Sequence, residues 1–552
     1  MQYLKGKSVK KFMRIKNLKI KIVSCLIMLS SFSNISNYTA SAYEFEEDVN
    51  YNEIYSPVEI NGINFPDSIF RKYIDENFDK TDDDILTGEE IVEITAIEVK
   101  GTGVTNVIGI EHFPKLETLD CENNLITELD VSHNKNLAYF RFGRNKIKEI
   151  DLSKNTDLYI MSCASNLLTE LDLSNNPLLI DLNCRSNNLV NLNISNCNKL
   201  IELNCEKNAL TQLDTSNCVN LEELYCKENK LTSLDVRNSK KMRMVNCEQN
   251  LLETFELAGC DQLIEFNCEK NQIKTLDLSG CSNMYRAYCN ENKIENIVFS
   301  GNDKLIKVYC ENNCIEELDI RNCKSILELH CAKNKLKKLY VNGVSTLQKL
   351  NCFGNELKEI DLSGCIKLVD FNIGANKLTD LDMSDCPLIN FIGISKTNIL
   401  HIDFSDKENL RNMNADGIFR EISLFGRRFD MKNISEDFDM SRTRNWTNAE
   451  VDGSIITVTD TTKAVTYEYD VHVYNPIHTY TEMFTLIPIP GVPEIVGDVN
   501  ADAKADIHDL IILKRYLLLS EKESLKDKSQ ADISGDGKIN VMDFALMKKW
   551  IM

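Results

Sequence analysis

Apolar and polar positions repeat along the middle of this chain with a period of 21 residues. A grid that starts at Cys121 holds cysteine at eleven of its first thirteen positions, and Phe142 and Ile373 fill the other two. The residues two before, five after and eight after each grid position are apolar. Fixed periods of this length are typical of solenoids, so the pattern predicts a coil of stacked turns.

The sequence of one repeat indicates the kind of solenoid. The stretch from Leu200 to Leu210 has the form L-x-x-L-x-C-x-x-N-x-L, so this region resembles the leucine-rich repeat family. About fourteen copies of 21 residues fit between Leu116 and Leu410. The resemblance implies an α/β solenoid with a short parallel strand in each copy and an irregular or tight-turn return limb. A single copy cannot bury its apolar stripe, so stability must come from stacking.

An asparagine stands three residues after the grid position in thirteen copies, from Asn124 to Asn376. Its amide can satisfy turn backbone groups that would otherwise be buried without a partner. Thr397 takes this place in the last copy, where the array is ending.

The residue just before the grid position should point outward from each strand. Across neighbouring copies this column is polar and aromatic, with the members Asn183, Asn204, Tyr225, Asn246, Asn267, Tyr288, Tyr309, His330, Asn351 and Asn372. Tyr and Asn combine contact area with adaptable hydrogen bonding, which favours recognition of a protein or a sugar. The alternative is that parallel strands of such repeats simply favour these residues.

The chain has 20 cysteines, of which 19 remain when an N-terminal segment containing Cys25 is removed. An odd number cannot pair completely, and no C-x-x-C spacing indicates a zinc site. Because Phe142 and Ile373 share the first cysteine column, we expect these thiols to fill the core as small apolar side chains.

Two Asp-rich loops near the C-terminus, which begin at Asp498 and Asp532, are repeated 34 residues apart. Oxygen ligands at loop positions 1, 3, 5, 9 and 12, with a carbonyl at position 7, can surround Ca²⁺. The predicted ligands are Asp498, Asn500, Asp502, the Lys504 carbonyl, Asp506 and Asp509 in the first loop, and Asp532, Ser534, Asp536, the Lys538 carbonyl, Asn540 and Asp543 in the second. A solvated acidic tail would explain the charge but not this register.

Residues 496–552 resemble a type I dockerin, the module that attaches extracellular proteins to a cohesin on a cellulosome scaffold. The resemblance depends on Asp at position 12, the tandem duplication and the run from Leu513 to Leu517. It implies an all-α calcium-binding module whose cohesin-facing residues are Ile507, His508, Lys514, Arg515, Val541, Met542, Lys548 and Lys549. Ala503 stands where Gly537 serves the second loop, and Ala505 replaces the usual aliphatic residue, so we expect the first site to be weaker.

The segments that flank the repeats have their own patterns. An amphipathic stretch is followed by a loop that resembles an EF-hand, with the candidate ligands Asp79, Thr81, Asp83, the Ile85 carbonyl, Thr87 and Glu90. Because Asp84 stands where glycine is expected, a helical cap that only looks like an EF-hand stays open as the alternative. After the array, β-branched and aromatic runs predict a small β-unit.

The predicted organisation follows from these patterns. A basic start, a short apolar run and Ala40-Ser41-Ala42 predict a signal peptide and therefore secretion to the extracellular space. The predicted segments are a signal peptide (1–42), an EF-hand-like N-terminal cap (43–95), the repeats (96–410), a β-rich C-terminal cap (411–487), a linker (488–495) and the dockerin (496–552).

A formal net charge of −21 argues against nucleic acid as a partner, and no later stretch is long and apolar enough for a transmembrane segment. No nucleophile motif or distinct carboxylate pair indicates catalysis. We expect a non-catalytic cellulosome subunit that docks on a scaffold cohesin and binds a second protein or a polysaccharide through its repeats. The alternatives are a dockerin-bearing polysaccharide-degrading enzyme and a surface adhesin.

Overall fold

The computed structural model describes residues 54–552 apart from 258–259, 400–403, 405–406, 415–417, 423–427, 434–437, 461, 472–479, 489–509, 512, 515–516, 518–530, 532, 534–537 and 552. The predicted signal peptide lies outside the described residues, as do nearly all of the predicted linker and most of the two dockerin loops.

A parallel sheet of sixteen described strands runs the length of the repeat region. Each strand has three residues and pairs in register with the strand of the next turn, as in the pairing of Leu203 with Leu224. The strands are β3 (Ala96–Glu98), β4 (Thr118–Asp120), β5 (Tyr139–Arg141), β6 (Ile160–Ser162), β8 (Asp181–Asn183), β10 (Glu202–Asn204), β11 (Glu223–Tyr225), β12 (Met244–Asn246), β13 (Glu265–Asn267), β15 (Arg286–Tyr288), β17 (Lys307–Tyr309), β19 (Glu328–His330), β21 (Lys349–Asn351), β22 (Asp370–Asn372), β23 (Phe391–Gly393) and β24 (Asn412–Asn414).

The predicted leucine-rich repeat solenoid is therefore confirmed, with strands β3 and β24 extending the sheet beyond the fourteen predicted copies. In the described residues between 113 and 399 the return limb has no helix. Short parallel strands support it in places, namely β7 (Glu170–Asp172), β9 (Asn191–Asn193), β14 (Thr275–Asp277), β16 (Asn296–Val298), β18 (Glu317–Asp319) and β20 (Lys338–Tyr340).

The asparagine of each turn joins that turn to its neighbours. The Nδ2 group of Asn250 donates to the carbonyl oxygens of Cys226 at 3.0 Å and of Cys247 at 3.1 Å. Its Oδ1 atom accepts a hydrogen bond from the backbone nitrogen of Leu231 at 3.0 Å. The same pattern recurs along the array, so a continuous ladder of amides satisfies buried backbone groups, as the sequence predicts.

The residue two after each grid position forms a tight corner with positive φ. Thirteen of these corner residues are not glycine and have φ from 51° to 59°, for example Lys207 at 55°, and Gly354 fills the remaining one at 69°. A left-handed conformation is strained for a residue with a Cβ atom, so the stacked turns impose it against local preference.

Nineteen described cysteines are free, and all except Cys314 are buried. Burial raises the pKa of the Cys163 thiol to about 12 and that of Cys197 also to about 12. The predicted role of the cysteines as core side chains agrees with this environment. Cys197, thirteen residues after a grid position, also donates from its thiol to the carbonyl of Leu173 at 3.5 Å, where the equivalent Asn176 donates from its amide to Leu152.

Two helices precede the first strand of the long sheet. They are α1 (Ser68–Phe78) and α2 (Gly88–Glu93), and the antiparallel strands β1 (Val58–Glu59) and β2 (Ile85–Leu86) lie beside them. Asp67 caps α1 and also accepts hydrogen bonds from the backbone nitrogen and hydroxyl of Thr105, each at 2.7 Å. This carboxylate therefore ties the helical segment to the loop that follows the first long-sheet strand.

Beyond the long sheet the described residues form two further small sheets. Their strands are β25 (Ile418–Ile422), β26 (Arg428–Asp430), β27 (Thr443–Thr447), β28 (Ala449–Asp452), β29 (Ile455–Val458), β30 (Val465–Val471) and β31 (Tyr480–Pro488). One sheet has the order β25-β31-β30-β27 and the other β26-β29-β28. Their aromatic core includes Trp446 stacked on Tyr467 with ring centroids 4.3 Å apart.

Short 3-10 turns lie at Ile110–His112, Met431–Asn433 and Met440–Arg442. Near the C-terminus, helix α3 (Val541–Ile551) packs Met547 in a small core with Leu513 and Ile533. Among the described residues no helix is both long and apolar enough to cross a membrane.

Candidate functional site

The described part of the C-terminal module shows the end of the second predicted calcium loop. Asp543 is fully buried at the start of α3, and its Oδ2 atom accepts a hydrogen bond from the backbone nitrogen of Asn540 at 2.7 Å. A buried carboxylate beside an amide side chain provides oxygen atoms of the kind that Ca²⁺ prefers. This hydrogen bond joins the position 12 carboxylate to the backbone of position 9.

The other predicted ligands of this module fall mostly outside the described residues. These are Asp498, Asn500, Asp502, Lys504, Asp506, Asp509, Asp532, Ser534 and Asp536. Lys538, which supplies the position 7 carbonyl, is described and its side chain is exposed.

Several predicted cohesin-facing residues lie on the surface. Val541 is 73% exposed, and Lys514, Lys548 and Lys549 are also exposed. Ile507, His508 and Arg515 lie outside the described residues, and Met542 is described only as part of the helix backbone.

The loop between α1 and α2 has several features of the predicted EF-hand. Asp79 accepts hydrogen bonds from the backbone nitrogens of Thr81, Asp82 and Asp84 at 2.8 to 3.1 Å. Asp82 and Asp84, at positions 4 and 6, have φ of 56° and 58°. Asp83 accepts from the backbone nitrogen of Ile85 at 3.1 Å, so the loop is closed by its own side chains.

Glu90, the predicted position 12 ligand, is 5% exposed and forms a capping box with Thr87. Its carboxylate also accepts a hydrogen bond from the backbone nitrogen of Lys80 at 2.7 Å. Burial alone would raise the pKa of Glu90, but the hydrogen bonds from Thr87 and Lys80 outweigh it and lower the pKa. The carboxylate is thus ionised and already has backbone partners.

Acidic side chains accumulate around this loop. The pKa of Asp75 is raised, first by burial and then by the negative charges of Asp84, Asp79 and Asp82. In the described part of the chain no group of three or more His, Cys, Asp or Glu side chains has the arrangement of a metal site.

The outer side of the long sheet brings together the central part of the polar and aromatic column. Tyr288 stacks on Tyr309 with ring centroids 5.2 Å apart, and Tyr309 stacks on His330 at 4.6 Å. The Tyr309 hydroxyl donates to Glu328 at 3.2 Å. The two stacking contacts cover both faces of the Tyr309 ring and one face each of Tyr288 and His330.

A second column on the same side was not singled out from the sequence. It lies three residues before the grid position, where Asp181, Glu202 and Glu223 are aligned on adjacent strands. Burial, followed by the charges of Asp181 and Glu223, raises the pKa of Glu202. Burial also raises the pKa of Asp181, and the charge of Arg141 lowers it only in part. This column could have been found from the sequence, because Asp181, Glu202 and Glu223 occupy equivalent positions of the 21-residue repeat.

The coil of turns and the small C-terminal module define a leucine-rich repeat protein that carries a docking domain. Residues 496–552 match the family described as the dockerin type I domain, which confirms the resemblance inferred from the sequence. Type I dockerins are calcium-binding modules, and their presence implies docking on a cohesin in a cellulosome-type assembly.

Solved structures with similar folds include two internalins. The functional domain of InlJ from Listeria monocytogenes, which includes a cysteine ladder, is 23% identical with a TM-score of 0.57, and the match covers 79% of this chain and 99% of the solved domain. The internalin InlF from Listeria monocytogenes strain 4b F2365 is 20% identical with a TM-score of 0.37, covering 66% and 94%. YopM from Yersinia enterocolitica WA-314 is 18% identical with a TM-score of 0.44, covering 60% and 83%. No curated protein matches the sequence.

Proposed function

We propose that this protein is a secreted, non-catalytic subunit of a cellulosome-type assembly that acts in plant polysaccharide degradation. Its dockerin attaches it to a scaffold cohesin, and its repeats present the outer side of the long sheet to a second partner. The observation that carries this proposal is the dockerin match over residues 496–552. Secretion is supported by the basic and apolar N-terminal sequence, and N-terminal sequencing of the exported protein should begin at Tyr43.

In this proposal the two duplicated loops hold one Ca²⁺ each through the oxygen ligands named above. The Asp543 carboxylate at position 12 supports the second site, because carboxylate oxygens are ligands that Ca²⁺ prefers and this one lies at the start of α3, where the loop ends. Without the ion, the carboxylates of each loop repel one another, so calcium should couple to folding of the module.

Capture on an immobilised type I cohesin tests the docking role. Asp498→Ala combined with Asp532→Ala should abolish calcium-dependent capture, since each substitution removes the first ligand of a loop. The matched control is Asp157→Ala combined with Asp261→Ala, two exposed acids of the repeats, which should leave capture unchanged. Undiminished capture by the loop variant would contradict the assignment.

We also propose that the Asp79–Glu90 loop binds Ca²⁺. The left-handed residues at positions 4 and 6 and the ionised, buried Glu90 support this site. A purely structural cap is the competing explanation, because Glu90 already has backbone partners. Hydrogen exchange of residues 79–90 in the Asp498→Ala, Asp532→Ala variant separates the two: calcium should slow exchange there, and an unchanged rate would favour the structural cap.

The second partner of the repeats is proposed to be a protein. A flat sugar ring binds best on an open aromatic face, whereas Tyr309 is covered on both faces and Tyr288 and His330 are each covered on one. The column instead presents hydroxyl and amide groups with ring edges, which suits a protein surface. Pull-down of secreted proteins by a chain that lacks residues 490–552 tests this; recovery of polysaccharide alone would contradict it.

A further inference from the structure

The outer side of the long sheet carries an excess of negative charge over the eight turns that contain β8 to β19. In each turn the residues three before, one before and one after the grid position point outward, and they form three columns along the sheet. Over these eight turns the three columns hold nine acidic and four basic residues. The acids are Asp181, Glu202, Glu206, Glu223, Glu248, Glu265, Glu269, Glu311 and Glu328, and the basic residues are Arg185, Lys227, Arg286 and Lys307.

The four basic residues are already engaged in ion pairs with some of these acids. Lys227 lies 2.7 Å from Glu248, and the pairs Arg185 with Glu206, Arg286 with Glu265 and Lys307 with Glu328 lie at 3.4, 3.1 and 3.1 Å. They therefore cannot neutralise the remaining acids without breaking existing contacts.

Asp181, Glu202 and Glu223 remain as an acidic column of three aligned carboxylates. In the described residues no basic side chain lies within ion-pair distance of them, and Glu223 accepts only a hydrogen bond from the Tyr225 hydroxyl at 2.7 Å. Like charges on adjacent strands about 4.8 Å apart destabilise a sheet. Burial raises the pKa of Glu202, and the charges of Asp181 and Glu223 raise it further, in agreement with this placement.

An apolar border runs beside the acidic column. Ile180 and Ile201 precede Asp181 and Glu202 on the same two turns, and Ile201 is 40% exposed. Acid and aliphatic surface side by side match the two parts of a lysine or arginine side chain, whose stem is apolar and whose end is cationic.

We propose that this surface, formed by the acidic column and its apolar border, binds an extended basic segment of a partner protein. This rests on the proposed function, in which the outer side of the sheet binds a second protein. Charge complementarity selects the occupant, because the three carboxylates have no ion pair among the described residues and the charge of Arg141 acts only on Asp181, at one end of the column. Alternate side chains of an extended segment lie about 7 Å apart, so two Lys or Arg residues fit within the roughly 10 Å span of the column.

Binding of a fluorescein-labelled peptide of alternating Lys and Thr to the full chain, measured by fluorescence anisotropy, tests the proposal. The triple variant Asp181→Asn, Glu202→Gln, Glu223→Gln should bind this peptide roughly tenfold to a hundredfold more weakly, from about 0.5 to 1 kcal/mol for each lost ion pair. Ile201→Thr should weaken binding several-fold by removing contact with the lysine stems.

A second triple variant is the matched control. Glu128→Gln, Glu149→Gln and Glu170→Gln remove the same charge at the same spacing from exposed positions of the return limb. This control should leave the affinity within about twofold of the wild type, because those acids lie outside the proposed surface. Equal weakening by both triple variants would show non-specific attraction to an acidic protein and overturn the proposal, as would no weakening by the first.

Folding and docking are checked separately. Removing the repulsion between aligned carboxylates should raise the midpoint of thermal unfolding of the first triple variant, so lost binding is not explained by a damaged array. Cohesin capture should be unchanged in it. If a secreted protein binds the repeats equally in wild type and variant, the basic-segment proposal is wrong while the proposed function stands.

Discussion

Replacing one asparagine of the amide ladder should destabilise the repeats more than its side-chain size would indicate. In Asn250→Ala, the carbonyls of Cys226 and Cys247 each lose one donor but keep the amide of a neighbouring asparagine, Asn229 and Asn271 respectively. The backbone nitrogen of Leu231 loses its acceptor in a fully buried place. The change therefore leaves one buried donor unsatisfied and removes two further hydrogen bonds together with a longer third contact, from Nδ2 to the Glu248 carbonyl at 3.4 Å.

The magnitude follows from these contacts. An unsatisfied buried donor costs about 1 to 3 kcal/mol, and each lost hydrogen bond costs roughly 0.5 to 1 kcal/mol. The free energy of unfolding should therefore fall by about 2 to 5 kcal/mol. Urea unfolding followed by circular dichroism measures it, and the slope should stay unchanged so that the midpoint shift reports stability.

The control lies in the same turn. Asn246 is half-buried, and its Oδ1 accepts one hydrogen bond, from the backbone nitrogen of Glu248 at 3.1 Å. Asn246→Ala should cost about 1 kcal/mol or less. Hydrogen exchange should speed up at the amide of Leu231 only in the Asn250 variant. Equal losses in the two variants would refute the idea that the ladder supports the turns.

Three further predictions concern other regions. The folded-state pKa values of Asp181 and Glu202 are raised above their ordinary 3.8 and 4.5, so their charges destabilise the array at neutral pH. The difference in stability between the wild type and the triple variant neutralised at Asp181, Glu202 and Glu223 should therefore narrow as the pH falls through the folded-state pKa values toward the ordinary ones. A series of urea unfolding curves in which this difference widens at lower pH would contradict the prediction. A thiol reagent at pH 8 should react quickly with Cys314 and slowly with the buried cysteines, so Cys314→Ser should remove the fast phase of the reaction. Several rapidly reacting thiols in that variant would contradict the burial of the other cysteines. Asp84→Gly should raise thermal stability by about 0.5 to 1 kcal/mol by relieving a left-handed conformation, and a lowered midpoint would show that the Asp84 side chain has a structural role.

The sequence predicts the solenoid and the buried asparagine amides of the ladder, but not all of the hydrogen bonds that these amides make. A column of asparagines such as Asn124 and Asn250 indicates a buried amide, but the acceptor role toward the preceding turn becomes visible only when turns are stacked. The strands Ala96–Glu98 and Asn412–Asn414 lack the repeat consensus, so they are recognised only through pairing with their neighbours.

Neither the left-handed corners nor the lack of ion pairs in the acidic column can be predicted from the sequence, and the reasons differ. Corner residues such as Lys207 and Glu228 show no glycine signature, because stacking imposes the conformation on whatever residue is present. The acids Asp181, Glu202 and Glu223 are visible in the sequence, but their lack of basic partners depends on where Arg185 and Lys227 place their charges.

The amide ladder also bears on how such a chain changes its length in evolution. Every internal turn offers the same donors and acceptors to the turn before it and the turn after it. A duplicated or deleted segment of 21 residues would therefore meet matching neighbours at both junctions, and only the two terminal turns would require dedicated sequences. Gain or loss of whole units should be tolerated far better than insertion of a few residues within one.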